Sequence, residues 1–152
     1  MSIIWKYLDK QKATVAAIRD YRSMKFIINN TEGEISVVRA RMRNLGSPAY
    51  DGMPHTHNNG SSEDRIVNGI EEIDVLKERY RQATEYMDWF QPAWNELDAD
   101  ERYVLETFYA DDPGQTGAVY DICETFNIER SSAYNKKNRA LEHLQVLLFG
   151  KG

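Results

Sequence analysis

Along most of this chain apolar residues recur every three or four positions, the period of an amphipathic helix, so the predicted fold class is all-α. From about Ile3 to Ile28, one face collects Ile4, Tyr7/Leu8, Val15, Ile18, Tyr21 and Ile28. Asn29-Asn30 is expected to break that helix, and Thr31-Glu32-Gly33-Glu34 has capping-box spacing with Thr31 as N-cap. A second helix is expected on the stripe Ile35, Val38, Met42 and Leu45, which makes residues 1–45 an N-terminal helical hairpin or coiled-coil region. Arg39, Arg41 and Arg43 lie off the stripe and read as a solvated face, with a phosphate or partner contact as the alternative.

Residues 46–62 (GSPAYDGMPHTHNNGSS) are rich in Gly, Pro, Asn and Ser, have no period, and read as a flexible linker or exposed loop. His55 and His57 fall here without further ligands nearby, so they read as exposed loop histidines and no metal site is expected.

Residues 63–97 carry the longest signal. Ile66, Ile73, Tyr80, Met87 and Trp94 occupy one heptad position, and Gly69, Leu76, Ala83, Phe90 and Leu97 the other. Charged residues fill the faces between, as in a coiled coil or a long antiparallel helix. The stripe could join two copies as a homodimer or pack against the first helix. Pro92 is expected to kink the helix or start a new one near Gln91–Ala93. Tyr86, Trp89, Phe90 and Trp94 crowd that corner, as a packing junction with the C-terminal region or an exposed docking surface.

Residues 98–152 begin with Asp98-x-x-Glu101, a capping box with aspartate as cap, followed by Tyr103/Val104, Leu105 and Phe108. Asp111 to Gly117 (DDPGQTG) reads as a turn. Val119, Ile122, Phe126 and Ile128 then keep helical spacing. Cys123 is a small residue where helices cross, and four positions later Asn127 tolerates the left-handed backbone of a sharp turn. A new helical period opens after Glu129-Arg130. Small residue, turn former, apolar plug and fresh helix are the marks of a helix-turn-helix.

The net charge of −5 over 152 residues speaks against nucleic-acid binding until its distribution is considered. From Ile128 onward, Arg130, Lys136, Lys137, Arg139 and Lys151 outweigh Glu129 and Glu142, giving +3; residues 1–45 carry +5, and the middle −13. Charges more than about 8–10 Å apart are largely screened at physiological salt, so the local patch decides. A lone cysteine excludes an internal disulfide and a cysteine zinc cluster. No signal peptide and no apolar run near the roughly 20 residues of a membrane span is present, which leads to the expectation of a cytoplasmic protein without membrane contact. No phosphate loop, HExxH, Gly-x-Ser-x-Gly or Cys–His arrangement appears, so neither an enzyme nor a cofactor is expected.

Segment Leu97 to Leu144 resembles sigma-70 region 4, the promoter-reading helix-turn-helix of bacterial sigma factors. LDADERYVLETFY matches its leading helix, and AVYDICETFNIERSSAYNKKNRALEHL its two-helix unit without a gap. IERSSAY, KKNRALEHL and the terminal LLFG are similar to phage and prophage late-gene regulators of the ArpU and RinA type. Three positions depart from the pattern: Glu129 replaces serine or threonine, Asn127 replaces glycine, and Lys136 replaces an apolar residue.

The resemblance implies sequence-specific binding of double-stranded DNA, activation of late genes in a bacterial or phage-infected cell, and contact with bacterial RNA polymerase through the acidic middle. With Ala133, Ala140, Leu141 and Leu144 facing the core, Arg130, Ser131, Ser132, Tyr134, Asn135 and Asn138 are the outer-face candidates. Arg130 suits guanine and Asn135 adenine; Lys136, Lys137 and Arg139 suit the backbone. Two alternatives keep the fold: a small terminase-type packaging subunit, and a polymerase- or sigma-binding adaptor that does not touch DNA.

Overall fold

The computed structural model describes residues 7–44, 62–110 and 115–151, which are almost wholly helical and contain no strand. The all-α class is therefore as the apolar periodicity predicts. Helix α1 spans Lys10–Asn44, α2 Ser62–Glu96, α3 Ala99–Leu105, α4 Gln115–Phe126 and α5 Arg130–Phe149, with a π-helical turn at Glu106–Ala110. Ile3, Ile4, Leu45, most of the expected linker with His55 and His57, and Asp111 to Gly114 lie outside the described residues.

Two expected boundaries are absent. Asn29-Asn30 does not break α1, and Thr31 is not an N-cap but a buried mid-helix residue. Its hydroxyl donates to the Ile27 carbonyl at 2.5 Å, and the Asn30 amide donates to the Phe26 carbonyl at 2.8 Å. Both side chains thus bond back one turn instead of capping a new start. The propensity cost of asparagine in a helix is under about 0.7 kcal/mol per residue. Burying Ile18 on one side of the pair and Val38 on the other stabilises by roughly 1.5–3 kcal/mol each, so packing wins. The true N-terminal signal is Asp9, whose carboxylate accepts from the Lys12 amide at 3.1 Å.

Pro92 is likewise accommodated: α2 runs through it to Glu96. An interior proline costs about 3 kcal/mol. Phe90, Ala93 and Trp94, all buried within two residues of it, offset that cost.

The chain divides into two compact units, one of Met1–Met24 with Tyr86–Gly152 and one of Lys25–Glu85. In the second, the C-terminal part of α1 and the N-terminal part of α2 pack antiparallel around Val38, Ile73 and Leu76, with Ile35 and Met42 against them. Arg41 donates to both Glu72 carboxylate oxygens at 3.1 Å. Gly69 sits so close to Met42 that an added Cβ would lie 2.7 Å from its Cγ and Sδ, which explains a glycine at this heptad position. The heptad stripe here packs against the first helix of its own chain, and its outer members Ile66 and Tyr80 remain exposed.

In the first unit, Phe90, Trp94 and Leu97 of the α2 end join Ala17 and Ile18 of α1, Leu105 of α3, and Ala140, Leu141, Leu144 and Leu148 of α5. Tyr21 packs on both Phe90 and Trp94, with ring centroids 5.2 and 5.7 Å apart. Its hydroxyl donates to Gln91 Oε1 at 2.7 Å.

Candidate nucleic-acid interface

The C-terminal helices are held from three directions. The capping box at α3 is present in full: Asp98 accepts from the Glu101 amide at 2.8 Å, and Glu101 Oε1 accepts from the Asp98 amide at 3.2 Å. The other oxygen of Glu101 meets His143 Nδ1 at 2.7 Å, tying α3 to α5. Sequence reasoning missed that contact, since 42 residues separate the pair. A second small core of Val104, Val119, Ile122 and Ala133 seats α4 and the start of α5, with Phe108, Cys123, Phe126 and Ile128 against it. Cys123 is half-buried, in keeping with a small residue at a helix crossing.

The corner of aromatic residues is a packing junction. Phe90 is buried, Tyr86 stacks on it at 5.2 Å, and Phe149 of α5 meets Trp89 edge-on at 5.5 Å. Trp89 Nε1 donates to the Leu148 carbonyl at 3.3 Å, and the Tyr86 hydroxyl donates to the Ala17 carbonyl. Burial pushes the phenol of Tyr86 well above its ordinary value, with the Asp20 carboxylate adding to the shift. The phenol of Tyr109 moves the same way through burial, opposed by the charge of Arg19.

The turn between α4 and α5 has the geometry its sequence predicts. Asn127 adopts φ 53°, and Ile128 donates back to the Cys123 carbonyl at 3.1 Å. Among the described residues, Asn127 alone outside glycine has positive φ. The expected turn before α4 is shorter than DDPGQTG suggests, because Gln115 already belongs to the helix. Glu129 occupies the N-cap of α5 with extended backbone (φ −78°, ψ 163°), but its side chain makes no capping bond.

Ala133, Ala140, Leu141 and Leu144 are buried as expected, joined by Leu148. With the inward side fixed, helical spacing sorts the nine candidates into three strips. Ser131, Asn135 and Asn138 follow a four–three spacing on the side opposite Ala133 and Leu144, and all are exposed. None has a hydrogen-bond or ionic partner among the described residues. Ser132, Lys136 and Arg139 form one flank; Arg130, Tyr134 and Lys137 form the other. Spacing thus separates Arg130 from Asn135, the residue expected to share base contact with it.

The two lysines are half-buried and positioned by rings. Lys136 Nζ lies 4.4 Å from the Phe126 ring centre, and the edge of Tyr103 packs against the same ring at 6.0 Å. Lys137 Nζ lies 5.5 Å from Phe108 and 5.6 Å from Tyr134. Cation–π attraction accounts for a half-buried Lys136: its stem packs while its charge stays at the surface. The outcome is a neutral amide and hydroxyl strip bordered on both sides by cations.

No group of three or more His, Cys, Asp or Glu side chains among the described residues is placed to hold a metal ion. No described helix is long and apolar enough to cross a membrane. No protein-family profile, curated protein or solved structure matches the chain.

Proposed function

We propose that this protein is a sequence-specific, double-stranded DNA-binding transcriptional regulator, an activator of the phage or prophage late-gene type that the resemblance of Leu97 to Leu144 to sigma region 4 implies. The observation that carries the proposal is the partnerless strip Ser131, Asn135 and Asn138 with cations along both edges, on a helix launched from the positive-φ Asn127 turn. Helix α5 enters the major groove, where the strip faces base edges, while Arg130, Lys136, Lys137 and Arg139 face phosphates. The acidic middle of the chain is the surface offered to bacterial RNA polymerase.

Genome-wide chromatin immunoprecipitation of the tagged chain in its host, beside an Arg130→Ala/Asn135→Ala variant, tests the assignment. A sharp peak upstream of one operon, lost in the variant, is the expected result. Enrichment at a packaging site would replace regulation with a terminase role. Absence of enrichment would transfer the assignment to a polymerase- or sigma-binding adaptor.

A further inference from the structure

The nine candidate residues do not contribute equally, and their arrangement on α5 limits the kind of sequence the helix can read. Ser131, Asn135 and Asn138 occupy one strip, exposed and without partners among the described residues. From Ser131 to Asn138 the strip extends about 10 Å at 1.5 Å rise per residue. That length matches about three base steps of 3.4 Å.

The next residue on the same strip is Glu142, an exposed carboxylate four positions past Asn138. A carboxylate is repelled by phosphates, so the inserted part of the helix ends before it. At the other end the strip stops at Ser131, since Glu129 precedes the helix with its own uncapped, exposed carboxylate. Two acidic residues therefore bracket a neutral window.

Inside the window, the two groups able to make bidentate base contacts are both asparagines. An asparagine amide pairs with adenine by donating to N7 and accepting from the N6 amino group. Asn135 and Asn138 lie about 4.5 Å apart along the helix axis, between one and two base steps. Arg130, suited to guanine, lies on the flank with Tyr134 and Lys137, where it faces backbone instead.

Resting on the DNA-reading assignment above, we infer that each α5 reads a short duplex word of about three or four base pairs containing two adenines, adjacent or one step apart. Asn135 and Asn138 determine one adenine each, and neither arginine of the helix specifies a guanine.

The test is selection of the full chain against a random duplex library, followed by binding measurements on the winning duplex with single 7-deazaadenine replacements. That base keeps Watson–Crick pairing and lacks the N7 acceptor. Two positions within one four-base-pair word are expected to lose roughly five- to hundredfold affinity on replacement. In Asn135→Ala one of those positions becomes insensitive to replacement, and in Asn138→Ala the other does. Both side chains are exposed, and circular dichroism and melting temperature unchanged from the parent establish that the variants fold. A selected word without adenines, or one indifferent to 7-deazaadenine, overturns the inference while leaving DNA binding intact. Failure to retain any duplex overturns the inference and the DNA-reading assignment together.

Discussion

Glu129→Asp is expected to stabilise the protein while keeping its charge. At the start of α5 the backbone already has the extended geometry of an N-cap, yet the glutamate carboxylate satisfies none of the first amides. Elsewhere in the chain aspartate does what this glutamate does not. Asp98 accepts from the amide three residues on at 2.8 Å, and Asp9 does so at 3.1 Å. One methylene fewer brings the carboxylate within the same reach of the Ser132 amide. A satisfied cap contributes typically about 1 kcal/mol over a residue that cannot cap. The attraction between a negative charge and the helix N-terminus, about 0.3–1 kcal/mol, is present in both variants and cancels. The net gain is therefore about 1 kcal/mol, a rise of roughly 2–4 °C in melting temperature for a domain of this size. Differential scanning calorimetry of Glu129→Asp beside Glu129→Ser is the assay, the serine variant gaining less because it surrenders the charge. An unchanged or lower Tm for Glu129→Asp would refute the capping geometry and with it the start of α5 at Arg130.

Three further outcomes follow from packing, caps and charge. Asp98→Ala removes the side-chain acceptor of the Glu101 amide, while the backbone amide of residue 98 still donates to Glu101; urea unfolding is expected to lose about 1 kcal/mol. Asn127→Gly is tolerated at φ 53°, whereas Asn127→Ile forces a β-branched residue into the left-handed region at a cost of about 1–2 kcal/mol, read as a lower urea midpoint. Because the folded-state phenol of Tyr86 lies above its ordinary value of 10.0, its contribution to stability is complete below pH 10 and is lost as pH rises beyond it. Stability should therefore fall on alkaline titration, with a smaller fall in Tyr86→Phe.

The C-terminal half was the more legible because its signals are local. Asn127 is one of the few residues suited to positive φ, and the Asp98 box needs only a spacing of three. Thr31-x-x-Glu34 has the same spacing and misled, because a threonine hydroxyl serves as well bonding back to Ile27 inside a helix as capping a new one. Ile18 and Val38, buried on either side of the asparagine pair, decide between the two, and their burial is tertiary information. Pro92 starts no new helix for the same reason. The π-helical turn at Glu106–Ala110 has no side-chain signature, and the His143–Glu101 contact joins residues that only folding brings together. That the nine candidate residues share one helix was legible. Their division into a neutral strip and two cationic flanks depended on knowing which side of α5 is buried.

The most direct test of the central claim is titration of the isotopically labelled full chain with duplex DNA, followed residue by residue by nuclear magnetic resonance. The account predicts that the largest shift changes fall on Ser131, Asn135 and Asn138, with smaller ones on Arg130, Lys136, Lys137 and Arg139, all reversed by added salt. Saturating duplex that leaves α5 unperturbed, or shift changes confined to residues 25–85, would contradict it.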